Sequence, residues 1–333
     1  MNIIIPMAGM GTRMRPHTLT VPKPLIPVAG KPIVHRLVED IAGVCKETIN
    51  EIAFIVHPSF GKETENALIE MAQKLGAKGS ICYQTEALGT AHAVYCAAEA
   101  LEGNIIIAFA DTLFIADFTL DTSKDAIIWV QKVPDPSAFG VVSINKEGLI
   151  KDFIEKPQTF VSDLAIIGIY YFKEGEKLRE ELKFLIDNNV HVNGEYQLTT
   201  ALENMKNKNI RFSPEQIKEW LDCGNKQATV HTNKTLLSYY GSRIHKNCEL
   251  DNSHIIEPCF IGEGVILKNS IVGPHASIGK NTSIENSVIS NSIIQSNAII
   301  QNLVINESMI GNHTTITKKS SDLNIGDYSH IQE

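Results

Sequence analysis

From Ile278 onward the aliphatic residues recur with a constancy few folds can use. Ile278, Ile284, Ile289, Ile294, Ile300, Ile305, Ile310 and Ile316 stand 6, 5, 5, 6, 5, 5 and 6 residues apart, so every third member is 16 residues on. The stretch Ser270–Ile278 also returns as Ser308–Ile316. One inward aliphatic per side and small polar corners predict a three-sided β-helix, in which each coil buries one stacked aliphatic per face. Several strands of an ordinary antiparallel sheet are the alternative, but they give no reason for so regular a spacing. Composition shifts with the pattern: from about residue 244 the chain is rich in Ile, Asn, Ser and Gly and poor in charge.

Residues 1–240 read as a separate layered α/β domain. Ile33, Val34, Leu37, Val38, Ile41 and Ala42 recur at helical spacing and predict a helix over 33–44. A strand follows at 51–56, a helix at 62–75, a strand at 80–84, a helix at 90–101 and a buried strand at 104–110. Short β-α crossovers of this kind enforce parallel pairing and put ligands at the carboxyl ends of the strands. Beyond Asp111 strands dominate, at 126–132, 140–144, 149–154 and 164–172, with helices at 174–188 and 195–206. A mixed sheet forming a second lip over the site fits this order. Residues 227–240 predict a helix leading out of the domain.

At 333 residues the chain is long enough for two domains, drawn here as 1–240 and 241–333. A net charge of −8 and a pI of 5.8 leave no basic field for nucleic acid or an anionic membrane. Six cysteines, none in a C-x-x-C pair, argue against zinc or a disulfide framework. No apolar run approaches the roughly 20 residues of a membrane helix, and the first residues lack the order of a signal peptide. A cytoplasmic protein is expected, and the exposed solenoid faces lead us to expect a homo-oligomer.

The chemistry concentrates at the first strand end. The β-branched run Ile3–Ile5 leads into a loop with Gly9 and Gly11, where backbone N–H groups approach an anion with no Cβ between. Arg13 lies in this loop. Lys23 follows between Pro22 and Pro24, which restrict the backbone around it and hold an ammonium group in place. Phosphate is the ligand such a loop suits. It is not the dinucleotide fingerprint, because position 14 is Met, and not a P-loop, because no Gly-Lys-Ser/Thr follows.

The whole string, Gly9-x-Gly11-Thr12-Arg13, Pro16, Thr18, Pro22-Lys23-Pro24-Leu25 and Lys31-Pro32, resembles the signature of the sugar-1-phosphate nucleotidylyltransferases, also called NDP-sugar pyrophosphorylases. The resemblance implies a Rossmann-like mixed-sheet nucleotidyltransferase domain followed by a C-terminal left-handed parallel β-helix of hexapeptide repeats. The solenoid's handedness comes from the resemblance and not from the spacing. It further implies that Arg13 and Lys23 bind a triphosphate, and that Asp111 and Asp222 hold Mg2+. Asp111 ends a strand and Asp222 lies in Trp220-Leu221-Asp222-Cys223-Gly224. Ala110 and Cys223 replace the family's usual Gly and Thr, and neither removes a carboxylate.

Further motifs resemble the same family. Gln84, followed by Leu88-Gly89-Thr90-Ala91, matches its base-reading Gln and turn; the amide can meet an imide edge as donor and acceptor together. Thr90 is expected both to cap its helix and to line the pocket. With Ala8, Gly9, Gly11, Thr12 and Gly89, these residues form the implied nucleotide side, although Pro6-Met7-Ala8 departs from the usual Leu-Ala-Gly and bears on base preference. Glu155-Lys156-Pro157 resembles the motif in which Glu meets sugar hydroxyls and Lys the sugar phosphate. Gly140, Gly168 and Glu195 match other sugar-pocket positions. His92 is expected to be packed or at the surface.

The activity implied is nucleotidyl transfer from an NTP to a sugar 1-phosphate, with pyrophosphate leaving, as a step of nucleotide-sugar and polysaccharide biosynthesis. Gln84 favours thymine or uracil, so dTTP or UTP with glucose 1-phosphate is the first expectation. UTP with N-acetylglucosamine 1-phosphate and GTP with mannose 1-phosphate follow. A non-catalytic regulatory subunit of the same fold, and a second, acetyl-transferring activity of the solenoid using His275 or His313, are the alternatives.

Overall fold

Three consecutive isoleucines, Ile3 to Ile5, are fully buried in the first strand, as a strand covered on both faces requires. This computed structural model describes residues 1–115 and 119–319; the last part of the expected 241–333 tract therefore lies outside the described residues. Two compact units form, Met1–Ile26 with Lys31–Ala228, and Pro27–Gly30 with the chain from Thr229. The expected division at 240/241 instead follows the end of a helix.

In the first unit, β1 (Asn2–Pro6), α1 (Ile33–Val44), β2 (Glu51–Val56), α2 (Gly61–Lys74), β3 (Lys78–Tyr83), α3 (Thr90–Tyr95) and β4 (Ile105–Ala108) follow one another. β1 pairs in parallel with both β2 and β4, and β2 with β3. Then come β5 (Thr112–Ile115), β6 (Ala126–Lys132), β7 (Gly140–Ile144), β8 (Ile150–Glu155) and β9 (Leu164–Phe172). Helices α4 (Gly175–Asp187) and α5 (Leu198–Asn207) precede β10 (Phe212–Gln216) and β11 (Glu219–Asp222); α6 (Lys226–Tyr240) follows and belongs from Thr229 on to the second unit. Nine strands make one mixed sheet, with the path β8-β7-β9-β4-β1-β2-β3, β6 on β9 and β10 on β6. β9 is antiparallel to β4, so the sheet changes sense beside the central parallel strands. β5 and β11 form a separate antiparallel pair.

Two expectations need correction. The helix over 90–101 stops at Tyr95: Ala97 leaves helical geometry at φ −104°, ψ 31°, and only a 3-10 turn, Ala98–Ala100, follows. The run is made of helix formers, so tertiary packing of Ala97, Ala100 and Leu101 against the core overrides propensity. The helix over 195–206 begins only at Leu198, because Tyr196 N is held by Leu88 O at 2.8 Å.

α1 buries Ile33, Val34, Leu37, Val38 and Ile41 and carries a cost with them. Asp40 Oδ2 is buried without a hydrogen-bond partner. Burial pushes this carboxyl up to about 6, with the Arg36 guanidinium opposing and Glu39 adding. A folded carboxyl titrating above its ordinary 3.8 makes the native state hold an extra proton between the two values, so stability falls as pH rises through about 6. Asp40→Asn is therefore expected to raise unfolding free energy by about 2 kcal/mol at pH 8 and by little at pH 4. Urea denaturation at the two pH values checks this; an equal gain at both would assign the effect to something other than charge.

The second unit is a left-handed parallel β-helix. Among the described residues three parallel sheets stack its coils, two of five strands and one of four. Its core holds one aliphatic per side per coil, as in Ile278, Ile284 and Ile289. Ile278 pairs with Ile294 and Ile294 with Ile310, which is the expected 16-residue step. Earlier coils are longer: Ile261 pairs with Ile278, Leu267 with Ile284 and Val272 with Ile289, each 17 residues on. The recurrence of Ser270–Ile278 as Ser308–Ile316 joins different sides of the solenoid, since Val272 and Ile310 belong to different sheets. The asparagines have a structural use: Asn252, Asn269, Asn286 and Asn302 all sit at left-handed corners, and their amides bond coil to coil at 2.8, 3.2 and 3.1 Å. Within this unit Asn233, fully buried on α6, accepts from Ala29 N (2.9 Å) and Ser277 Oγ (2.6 Å) and donates to His275 O (3.0 Å). No helix among the described residues is long and apolar enough to cross a membrane.

Candidate active site

At the carboxyl end of β1 the chain turns through Gly11, whose φ of 59° favours glycine. A Cβ there would lie 2.9 Å from Lys23 Cβ, so the missing side chain lets the loop close over the lysine. Lys23 opens a single 3-10 turn, Lys23–Leu25, is buried, and directs Nζ to Asp111 Oδ2 at 3.0 Å. Arg13 lies in the 3-10 turn Thr12–Met14 of the same loop.

Asp111 and Asp222 are brought together by the small β5/β11 pair. Asp222 faces Thr112 in the register, and Cys223 N donates to Asp111 O at 3.0 Å. Asp222 Oδ1 accepts from Gly224 N at 2.8 Å. Burial pushes the Asp222 carboxyl above its ordinary value; the Gly224 hydrogen bond opposes, Asp111 adds to the rise, and Lys23 and Arg13 oppose it. Two carboxylates and two cations thus act on one another here. As a donor set for a divalent metal they are hard oxygens and few, which suits Mg2+, an ion that keeps several waters and shares substrate phosphates.

Two adjoining cavities open on these groups. One, of about 350 Å3, is lined by Ala8, Gly9, Gly11, Thr12, Arg13, Lys23, Gln84, Gly89, Thr90 and Asp111, so all seven residues expected on the nucleotide side meet there. The other, of about 510 Å3, is lined by Gly140, Glu155, Lys156, Gly168 and Asp222. Arg13, Thr90, Phe109 and Asp111 line both. Glu155 Oε2 accepts from Thr199 Oγ1 at 3.2 Å, and Lys156 Nζ stands 3.8 Å from Glu155 Oε1. Gly140 faces Glu155 across the β7/β8 pair.

Glu195 is the exception on the sugar side. It lines the first cavity and not the second, with Oε2 accepting from Gln197 Nε2 at 2.9 Å. Its backbone is fixed by the short bridge to Val192, which turns it toward the Gly89 side. Thr90 also differs from expectation. Gly89, not Thr90, is the cap residue of α3, and Thr90 Oγ1 instead accepts from Leu198 N at 2.9 Å, satisfying the first N–H of α5.

Gln84 departs from its expected donor-and-acceptor role. Its Nε2 donates to Gly89 O at 3.3 Å and lies 3.2 Å from His92 Nδ1, which leaves Oε1 as the atom to face a ligand. Burial lowers the His92 pKa, with Glu86 opposing, so the ring is held neutral. His92, read from sequence as packing or surface, is thus part of the site's support. Thr199, Gln197, Phe109 and Asn225 were also missed; they line the second cavity but carry no motif of their own, while Tyr170, on the Ile167–Tyr170 strand that resembles a sugar-pocket segment, lines it as well. Trp220 lines it too, packed edge-on against Phe139 with ring centroids 5.2 Å apart.

Comparison with known proteins bears on this site. Residues 2–238 match the family described as "Nucleotidyl transferase". The chain is 29% identical to the glucose-1-phosphate thymidylyltransferase of Streptomyces antibioticus, over 85% of this chain and 84% of that protein. It is 35% identical to the mannose-1-phosphate guanylyltransferase catalytic subunit beta of Drosophila melanogaster, over 54% of this chain and 50% of that one. The solved structure of a UDP-glucose pyrophosphorylase complexed with UDP-glucose superposes with a TM-score of 0.57 and 25% identity, covering 72% of this chain and 98% of that chain.

Proposed function

The chain belongs to the nucleotidyl transferase family, and on that premise we propose that it is a sugar-1-phosphate nucleotidylyltransferase using dTTP or UTP with glucose 1-phosphate. The observation that carries this reading is the pair of adjoining cavities sharing Arg13, Thr90, Phe109 and Asp111. A reaction in which a sugar phosphate oxygen attacks the α-phosphorus of a nucleotide needs two anions to meet in line at a wall common to both sites. Arg13 and Asp111 stand at that wall, with Lys23 lining the first cavity beside it and Asp222 the second.

In this reading Ala8, Gly9, Gly11, Thr12, Gln84, Gly89 and Thr90 hold the nucleotide. Arg13 and Lys23 take the triphosphate and the departing pyrophosphate. Lys156 meets the sugar phosphate, and Glu155, oriented by Thr199, accepts from sugar hydroxyls, with Gly140 and Gly168 shaping the wall. Glu195, which lines the first cavity, serves the nucleotide side in this reading. Asp111 and Asp222 would hold Mg2+, which when bound withdraws charge from the phosphate oxygens. The Streptomyces relative's name supports glucose 1-phosphate and thymidylyl transfer; the Drosophila relative's name supports mannose 1-phosphate and GTP, which Gln84 favours less. Self-association of the chain in the cytoplasm is part of the same proposal.

Pyrophosphate release with Mg2+ across a grid of dTTP, UTP, GTP, CTP and ATP against several sugar 1-phosphates tests it. Release is expected in the dTTP or UTP cells with glucose 1-phosphate. Silence in every cell from folded protein would sink the catalytic reading and promote a regulatory subunit.

A further inference from the structure

A glutamine amide carries a donor and an acceptor of nearly equal size at its two ends, and a half-turn about its last bond exchanges them. A site that reads a base through such a group needs something to forbid that turn. In this chain the first restraint is Gly89 O, an acceptor only, which must face Nε2; at 3.3 Å it is a long hydrogen bond. A single bond of that length holds an amide weakly. His92 Nδ1 supplies the second partner at 3.2 Å. Since Nε2 has only hydrogens to offer, Nδ1 must present its lone pair, which fixes the proton of the neutral ring on Nε2 of the imidazole.

Resting on the nucleotide-binding reading of this cavity, we infer that His92 is a positioning residue for base selection, holding Gln84 as an acceptor-only reader. His92 does not line either cavity, so it acts through Gln84 and not on a ligand directly. With both hydrogens of Nε2 committed to Gly89 O and His92 Nδ1, Oε1 faces the base. An acceptor there is satisfied by the N3–H of thymine or uracil. Cytosine brings a bare N3 lone pair to the same place, and two acceptors face each other. The preference for an imide base over cytosine thus depends on a side chain behind the wall. Gln84 is itself buried, so an incorrect orientation cannot be repaired by water.

The test measures binding of dTTP, UTP and CTP to the full chain by calorimetry, in wild type, His92→Phe and His92→Asn, with KM for glucose 1-phosphate alongside. Wild type is expected to prefer dTTP and UTP to CTP. His92→Phe keeps a ring but no acceptor and is expected to narrow that preference by roughly ten-fold, the worth of about one hydrogen bond, with KM for glucose 1-phosphate unchanged. His92→Asn returns an acceptor oxygen near the place of Nδ1 and is expected to restore most of the preference. A His92→Phe ratio equal to wild type, whatever the absolute affinities, overturns the inference, and so does a His92→Asn protein no more selective than His92→Phe. Nitrogen-15 NMR of the unsubstituted protein gives an independent reading: the resonance missing in His92→Asn should report a bare Nδ1, and a protonated Nδ1 overturns the inference even if His92→Phe does not fold. Failure to bind any nucleotide would sink the proposed function and this inference together. Nucleotide binding and turnover with an unmoved ratio would sink this inference alone.

Discussion

Lys23→Ala is expected to lower kcat/KM for pyrophosphate release by about 10²–10³-fold, the usual loss when one pre-placed donor to developing charge is removed. The expectation rests on how little of Lys23 is free to vary. Prolines stand on both sides of it, Gly11 closes over its stem, and its ammonium is held 3.0 Å from Asp111. Without a ligand, Lys23 and Arg13 balance Asp111 and Asp222 in charge. The alanine variant leaves the site one charge more negative just where a polyphosphate must enter. Stability should move far less. Asp111 is 42% exposed and stays hydrated once its partner is gone, and the desolvation that the buried ammonium endures disappears with it. A change within about 1 kcal/mol is expected on those opposing effects. Steady-state kinetics with a melting curve on the same preparation separates the two. Turnover within three-fold of wild type would remove Lys23 from the proposed machinery; a collapsed melting transition would make it a structural residue. Lys23→Arg is not expected to rescue, because a planar fork does not fit where a compact ammonium is enclosed.

Much of this site is legible in the sequence because each motif is short and follows a strand end. The loop after β1, the turn after β3 and the Asp after β4 all follow carboxyl ends of the parallel strands of one sheet, so topology alone brings Gly11, Gln84, Gly89 and Asp111 to the same edge. Asp222 is legible only through its motif, since its place depends on the β5/β11 pairing, which no periodicity announces. That Glu195 lines the first cavity and not the second is illegible for a related reason: its direction is set by a bridge to Val192 and by Leu88 holding Tyr196, contacts between segments about 100 residues apart in the second case. The pairing of Gln84 with His92 spans a turn and the start of a helix, and neither residue's neighbours hint at it. The solenoid is legible because its burial rule is one-dimensional, yet a fixed 16-residue period hides the coils before Ile278, which carry one residue more. The asparagine content, noted as a composition, becomes a signal once its left-handed corners are seen: seven of the asparagines, from Asn252 to Asn302, take the positive φ at which a coil turns.

Gly89→Ala is expected to be the more damaging change, in both stability and nucleotide binding. At φ 112° the position disfavours any side chain, and a Cβ would stand 2.5 Å from Tyr196 O and 2.8 Å from Tyr196 N. Those are backbone atoms, and neither is free to yield. Tyr196 N donates to Leu88 O at 2.8 Å, and Ala91 N donates to Tyr196 O at 2.9 Å, so the glycine is clamped from both sides. Making room breaks at least one of these bonds or moves the 86–91 turn, and a loss of roughly 3–5 kcal/mol in unfolding free energy is the expected scale for backbone incompatibility added to buried unpaired groups. The same movement withdraws Gly89 O from Gln84 and loosens Thr90 from Leu198. KM for the nucleoside triphosphate should therefore rise by more than about ten-fold, the value of one hydrogen bond or more, in whatever fraction folds. Gly9→Ala is the internal comparison: a Cβ there meets nothing within 4 Å, so its stability should stay within about 1 kcal/mol of wild type. If urea denaturation finds the two alanine variants equally stable, the clamp around Gly89 is not what holds this wall of the cavity, and the two glycines serve the loop by flexibility alone.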